Sequence, residues 1–167
     1  MRIYVPATMR MLRSLVDEQR LQPLSGTAFA LTPALRESYA IGDTEELEYA
    51  AQREAARACL RLIASELEED DKTDVRRVVV SADIDDVTLR PDLDNAVVRL
   101  AYPVPWKKVA AVHVDGADAE QAVRDAVAVV DAADLGDADA EFTLGEAEDH
   151  ELLWYAPQEV PFLLELM

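Results

Sequence analysis

Residues 43–71, DTEELEYAAQREAARACLRLIASELEEDD, carry the longest uninterrupted helical pattern in the chain. Asp43 or Thr44 can cap the start of a helix, and two glutamates fill its first turn, where carboxylates interact favourably with the helix dipole. No glycine or proline interrupts the segment. We therefore predict one long helix, at about residues 43–70, around which the rest of the chain is organised.

One side of this helix is apolar and is built largely from small residues. Its apolar positions recur at steps of three and four residues: Leu47, Ala51, Ala55, Ala58, Leu62 and Ile63. Alanine at three of them lets another backbone approach closely, which predicts packing against a sheet or a second helix. On the flank, Arg53, Arg57 and Arg61 repeat at four-residue intervals. They are within reach of Glu54 and Glu66 in the same helix, or of acidic groups elsewhere.

The segments around the long helix show strand and helix patterns in turn. Strands are predicted at about 2–7, 27–31, 76–84, 96–102, 109–114 and 151–155, and shorter helices at about 9–19, 33–40, 118–132 and 157–166. Strands that alternate with helices early and cluster in the middle indicate an α+β fold. We predict a single domain over residues 1–167, with a mixed β-sheet packed against the long central helix (about 43–70) and the second helix (about 118–132).

The segment from about residue 134 to 149 lacks the periodicity of its neighbours. It consists mainly of Ala, Asp, Glu and Gly, and Phe142 and Leu144 are its apolar anchors. This composition predicts an acidic, mobile loop at about 134–149, with a short strand at Glu141–Leu144 considered within it.

The formal net charge of −18 is distributed unevenly along the chain. Residues 115–167 hold one basic residue, Arg124, and fifteen acidic ones. A polyanion is repelled by such a surface, so we expect no binding of nucleic acid or of an anionic membrane. A basic protein surface is the partner that this charge favours, and the alternative is that the acidity only keeps an alanine-rich surface soluble.

Two features of the sequence predict a cytoplasmic protein. No run of about 18 apolar residues is present, and the chain opens on a strand-like segment, Arg2–Val5, rather than on an apolar signal segment. The single cysteine, Cys59, cannot form an internal disulfide, and its place in the helical stripe indicates a small buried apolar group. No histidine is placed by the pattern to activate it as a nucleophile.

No metal site is predicted from the residues that could bind one. The densest group of carboxylates is Asp83, Asp85, Asp86, Asp92 and Asp94, which lacks the terminal glutamate and central glycine of a calcium-binding helix-loop-helix site. The two histidines, His113 and His150, show no zinc-ligand spacing. We interpret the aspartates as solvated loop ends, and no phosphate-binding glycine-rich loop is present.

Three other features leave open alternatives for chemistry or binding. His113 alternates with Val112 and Val114, which places it on the opposite face of a strand. His150 and Glu151 precede the last strand, where they can serve as an acid and a base. The aromatic residues Tyr102, Trp106, Trp154 and Tyr155 form either an exposed face for a ligand or part of the core.

A resemblance is carried by three stretches: the opening Met1–Thr8, the segment Leu31–Arg36 and the late segment Asp149–Tyr155. They are similar to a family of uncharacterised proteins from GC-rich actinobacteria. The similarity runs the whole length of the chain. It implies a cytoplasmic protein of this size and supplies no catalytic residues.

A second resemblance is carried by two stretches, Tyr4 to Thr8 near the start of the chain and Glu151 to Val160 near its end. In their order they are similar to the two ends of ADP-ribosyltransferase-like domains. Those domains open with a strand ending in a Tyr-His-x-Thr signature and close on a strand bearing a catalytic glutamate. Val5 stands where the family has the histidine that holds the NAD ribose. The resemblance therefore implies a degenerate site, with Glu151 as its candidate catalytic group.

These observations lead to two functional hypotheses. The first is a non-enzymatic cytoplasmic interaction module, without a cofactor, whose acidic C-terminal half meets a basic protein surface. The second is a small-ligand or NAD-binding domain of degenerate ADP-ribosyltransferase-like type. It predicts a concave pocket near Tyr4, Tyr39 and Glu151, and NAD binding that is lost in Glu151→Ala. The oligomeric state is left open by the sequence.

Overall fold

The structure, a computed structural model, describes residues 1–167 and confirms a single α+β domain. Its strands are β1 Arg2–Ala7, β2 Arg20–Leu21, β3 Thr27–Ala30, β4 Val78–Asp83, β5 Val87–Leu89, β6 Val97–Leu100, β7 Val104–Pro105, β8 Val109–Val114 and β9 Leu153–Tyr155. Its helices are α1 Met9–Glu18, α2 Pro33–Ser38, α3 Thr44–Glu69, α4 Glu120–Asp134, α5 Ala138–Glu148 and α6 Val160–Glu165. None of these helices is both long and apolar enough to cross a membrane.

Seven strands form the main sheet in the order β5-β6-β3-β1-β4-β8-β9, and β2 and β7 form a separate two-stranded ribbon. Every neighbouring pair is antiparallel, so the prediction of a mixed sheet was wrong. The reason is the position of β1. Strands β3 and β4 run in the same direction, but β1 lies between them and is antiparallel to both.

Helix α3 confirms the predicted central helix. Its N-cap is Asp43, whose Oδ1 accepts a hydrogen bond of 2.8 Å from the backbone N–H of Glu46. The small buried residues Ala51, Ala55 and Cys59 belong to a core cluster that also contains residues of β1, β3 and β4. Because these side chains are short, the helix can lie close to the sheet, as the alanine pattern predicts.

The two faces of the sheet are covered by different helices. On the first face, α1 and α6 pack on the alternate apolar residues of the central strands, including Ile3, Val5, Val78 and Val112. On the second face lies α3, and α4 and α5 form a helical hairpin that packs against α3 through Leu60 and Ile63. The main core therefore lies on both sides of the sheet, and α3 is covered on two sides.

The predicted acidic loop at about 134–149 is the main correction to the sequence analysis, because most of it is helix α5. Asp137 caps this helix by accepting a hydrogen bond of 2.9 Å from the backbone N–H of Ala140. Ala140, Leu144 and Ala147 are buried against α4. Alanines supply most of this buried face, so the apolar periodicity is weak. The short strand considered within the loop, at Glu141–Leu144, was also wrong, because these residues belong to α5.

Candidate functional site

The last strand, β9, lies at one edge of the seven-stranded sheet. It pairs only with β8, and Trp154 stands opposite His113. Two of its three side chains are large, apolar and open to solvent: Leu153 is 49% exposed and Trp154 is 61% exposed. We refer to strand β9, together with Glu151 before it and Glu159 after it, as the β9 edge.

A polar groove lies where α3 meets the segment that leads into β9. Its lining includes Tyr49, Arg53, Glu148, Glu151 and Leu152. The cavity at its centre has a volume of about 30 Å³, which is the space of roughly one water molecule.

A buried ion pair holds the backbone at the base of this groove. The guanidinium of Arg77 donates two hydrogen bonds of 2.8 Å to the carboxylate of Asp115, and both side chains are almost completely buried. Oδ2 of Asp115 also accepts from the backbone N–H of Arg77 at 2.8 Å. The Nη2 of Arg77 donates to the carbonyl oxygen of His150 at 2.9 Å. This network fixes the chain one residue before Glu151, the first exposed residue of the edge, because the carbonyl of His150 cannot move without breaking it.

A second, apolar groove lies between β9 and helix α6. Its lining residues are Tyr155, Glu159, Phe162, Leu163 and Leu166, and its volume is about 320 Å³. Phe162 and Leu166 are exposed on its rim. The carboxylate of Glu159 accepts a hydrogen bond of 2.8 Å from the backbone N–H of Ala156, which stabilises the turn that leads from β9 into α6.

A histidine and a serine lie beside Trp154 on the face of the sheet that carries α3. Nε2 of His113 is 3.0 Å from Oγ of Ser81. Burial, together with the positive charge of Arg2, lowers the pKa of His113 to about 4, so the ring is neutral at pH 7. Because Ser81 is only 2% exposed, its hydroxyl cannot reach a substrate, and the pair is best interpreted as a cross-strand polar contact. Val112 and Val114 belong to the core on the opposite face, as their alternation with His113 predicts.

The three residues predicted for a ligand pocket do not line one cavity. Tyr4 is buried, and its hydroxyl donates to Oε2 of Glu48 at 3.2 Å. Burial and then the charge of Glu48 raise the pKa of this phenol to about 12. Tyr39 lines a cleft on the outer side of α3, whereas Glu151 lines the polar groove, and the two cavities share Arg53 and Glu148.

The four aromatic residues considered in the sequence are also separated. Trp154 lies on the β9 edge, and Tyr102 lines a cleft beside Asp83–Asp86. Trp106 and Tyr155 are partly buried and pack on the core of the first sheet face. The aspartates of that region form local ion pairs, Asp83 with Arg2 and Asp92 with Arg90, and no group of three or more metal-ligating side chains is brought together.

Part of the acidic C-terminal half is paired with arginines of the same chain. Along the α3 seam, where α3 meets the α4–α5 hairpin, Arg53, Arg57 and Arg61 form ion pairs with Asp131, Asp134, Glu141 and Glu148. The shortest contacts of Arg57 are 2.9 Å to Glu141 and 3.2 Å to Asp134. The hydrogen bonds from Arg57 lower the pKa of Glu141. The repeated arginines therefore form ion pairs with acidic residues of α4 and α5 rather than with glutamates of their own helix. This is the second of the two alternatives considered from the sequence.

Other carboxylates of the C-terminal half have no such partner. Of the fifteen acidic residues in 115–167, six take part in ion pairs. The nine without an ion pair are Asp118, Asp125, Asp137, Asp139, Glu146, Asp149, Glu151, Glu159 and Glu165. Four of the nine belong to the short segment from Asp149 to Glu165, which contains β9 and most of the second groove.

Comparison with known proteins assigns the chain to a family without assigning an activity. A family model described as a family of unknown function (DUF6912) matches residues 1–164, so the chain belongs to this family. No curated protein and no solved structure matches the chain.

Proposed function

We propose that this protein is a non-enzymatic interaction module whose C-terminal half binds a basic surface of another protein. The observation that carries the proposal is the combination at the β9 edge of two exposed large apolar side chains, Leu153 and Trp154, with carboxylates that have no ion-pair partner. An apolar centre, an exposed tryptophan and a polar rim are typical of protein interfaces.

The charge of the edge selects the kind of partner. Glu151 and Glu159 flank the strand, and neither is neutralised by a neighbouring lysine or arginine. A lysine or arginine of a partner would form ion pairs with these two glutamates, as the arginines of α3 do with the acidic residues along the α3 seam. The net charge of −18 adds long-range attraction for a basic protein and repulsion for nucleic acid.

The cavity at Glu151 gives little support to the small-ligand alternative. Ligand pockets usually have volumes of about 300–1,000 Å³, whereas the cavity that contains Glu151 has about 30 Å³. Tyr4, the residue that the resemblance places at the NAD end, has its hydroxyl engaged by Glu48. An exposed strand with apolar side chains is easier to explain as a contact surface for another chain.

The first test measures binding of a synthetic peptide of about 12 residues, rich in lysine and valine, by isothermal titration calorimetry. We expect binding at about 10 mM salt, where charges act over about 30 Å, and at least about tenfold weaker binding at about 150 mM, where they act over about 8 Å. A glutamate-valine peptide of the same length should not bind. Equal affinity for both peptides at both salt concentrations would contradict the proposal.

A matched pair of charge variants tests the location. Glu151→Gln removes a carboxylate at the β9 edge, and Asp86→Asn removes one beside β5, at the opposite edge of the sheet. The two edges are about 29 Å apart, since six interstrand spacings of about 4.8 Å separate them. We expect Glu151→Gln to weaken peptide binding about two- to fivefold and Asp86→Asn to leave it almost unchanged. Equal effects would indicate a general response to net charge.

A thermal-shift titration with NAD separates the proposal from the alternative. Under the proposal NAD leaves the melting temperature unchanged, because a ligand that does not bind the folded state cannot stabilise it. A dose-dependent rise that disappears in Glu151→Ala would instead support the ligand-binding hypothesis.

A further inference from the structure

We infer that the basic partner binds as an extended segment that adds a strand to β9. This inference rests on the proposed function and specifies its geometry. The outer side of β9 has no neighbouring strand, since the sheet ends there. In an antiparallel sheet, alternate residues of an edge strand direct their N–H and C=O groups away from their neighbour, and these groups can pair with another chain.

The two grooves described above differ in their position relative to this strand. Tyr155 of β9 lines the apolar groove, whereas the polar groove is lined by Glu151 and Leu152, which precede β9. Side chains of an added strand point alternately to the two faces of the sheet. On the first face they meet the apolar groove lined by Tyr155, Phe162 and Leu166. On the second face they meet the indole of Trp154, which stands opposite His113, and the carboxylate of Glu151 lies three residues before this tryptophan in the chain.

This arrangement predicts the sequence of the partner segment. Apolar residues at every second position would enter the groove beside α6. Lysine or arginine at the positions between them would lie over Trp154, where a cation is attracted by the face of the indole and by the carboxylate of Glu151. The partner segment therefore alternates apolar and basic residues along the part that pairs with β9.

The exposed edge can also accept a second copy of this chain, but the charges oppose it. If two copies met through β9, Glu151 and Glu159 of both chains, four glutamates in total, would come together. Each chain also carries a net charge of −18. Like charges placed together across an interface reduce its stability. A basic segment of a different protein removes this repulsion, and for that reason we assign the edge to it.

N-methylated peptides test strand addition separately from charge. The parent probe is a peptide of alternating lysine and valine. Two derivatives carry N-methyl groups either on the amides of the lysines or on those of the valines, so that in each derivative only one edge of the strand can donate hydrogen bonds. We expect one derivative to bind at least about tenfold more weakly than the parent and the other to bind within about twofold, because only one edge of the peptide faces β9.

Each other outcome has a separate meaning. If both derivatives bind as well as the parent while the salt dependence persists, strand addition is wrong and the proposed binding of a basic partner stands. If the parent and a scrambled peptide of the same composition both fail to bind at low salt, the proposed function fails as well. If the amide resonances of Leu153–Tyr155 shift with protein concentration in the absence of peptide, a second copy occupies the edge and the inference is overturned.

Discussion

The acidic residues of the C-terminal half lie in two environments, the α3 seam and the β9 edge. Along the seam, Asp131, Asp134, Glu141 and Glu148 are paired with three arginines that repeat every fourth residue of α3. At the edge, Glu151 and Glu159 have no ion pair and stand beside exposed Leu153 and Trp154. The carboxylates of the seam form ion pairs within the fold, whereas those of the edge are exposed to solvent.

This difference shows that net charge alone does not locate a partner surface. Six of the fifteen acidic residues in 115–167 already form ion pairs with basic residues of the same chain. What distinguishes the edge is the coincidence of unpaired carboxylates with exposed apolar side chains on an unpaired strand. The predictions that follow alter one region at a time, in order of expected effect.

The largest effect is expected from the buried pair that fixes the chain before the β9 edge. Arg77→Ala leaves the carboxylate of Asp115 buried without its partner, which typically costs about 3–5 kcal/mol of unfolding free energy. Urea denaturation measures the loss. The control is Arg124→Ala, which removes an exposed pair with Glu120 within α4 and should cost less than about 1 kcal/mol. A loss below about 1 kcal/mol in Arg77→Ala would mean that the pair does not anchor this segment.

The second prediction concerns pH and the histidine opposite Trp154. The pKa of His113 is about 4 in the folded protein and about 6.5 in the unfolded chain, so the unfolded chain takes up a proton first as the pH falls. The contribution of the neutral His113 ring to the unfolding free energy is therefore complete above pH 6.5. It is lost as the pH falls from about 6.5 to 4, by up to about 3 kcal/mol in total. His113→Leu should reduce the slope of the unfolding free energy against pH between about pH 4.5 and 6.5. Asp83 and Glu141 have lowered pKa values, so they take up protons below this range and do not contribute to the slope there. An unchanged slope in this variant would show that the ring is not buried as a neutral group.

The third prediction tests the seam. Arg57→Ala removes the ion pairs to Glu141, Asp134 and Glu148, and we expect a loss of about 1 kcal/mol that becomes smaller at high salt. Arg20→Ala is the matched control, because Arg20 is exposed and forms no ion pair. Denaturant titrations at two salt concentrations measure both variants. Equal losses that do not depend on salt would indicate that the seam is held by its apolar contacts alone.

The smallest effect on stability, with the largest effect on binding, is expected at the edge itself. Trp154→Ala should change the unfolding free energy by no more than about 0.5 kcal/mol, because the side chain is mostly exposed. The same variant should weaken binding of the lysine-valine peptide about tenfold or more, as truncation of a central interface aromatic usually does. Tyr102→Ala, at another exposed aromatic residue, should leave binding unchanged. If Trp154→Ala destabilises the fold strongly and binds normally, the tryptophan is structural.

The sequence predicts those parts of the fold that depend on local patterns. The helix that begins after Asp43 and the strand at Arg2–Ala7 are found as predicted, because a capping residue, an alanine stripe and a run of β-forming residues are local signals. The antiparallel sheet was missed because strand order depends on contacts between distant segments. Helix α5 was missed because alanines such as Ala140 and Ala147 form most of its buried face and contribute little apolar periodicity.

The candidate site was only partly predictable for the same reason. Glu151 and Trp154 were singled out by residue type, but their exposure follows from the position of β9 at the end of the sheet. The pair of Arg77 and Asp115 joins residues 38 positions apart, and no local pattern relates them. The separation of Tyr4 from Glu151 likewise depends on the course of α3 across the sheet, because Glu48 of that helix engages the tyrosine hydroxyl.

The most direct test of the proposed interaction is a map of backbone amide shifts in a two-dimensional ¹⁵N NMR titration with the alternating lysine-valine peptide at low salt. The proposal predicts that the largest changes fall on Leu153–Tyr155, on the facing residues of β8 and on α6, with small changes along the α3 seam. Changes spread evenly over the acidic surface of α4 and α5, with none concentrated at β9, would contradict it.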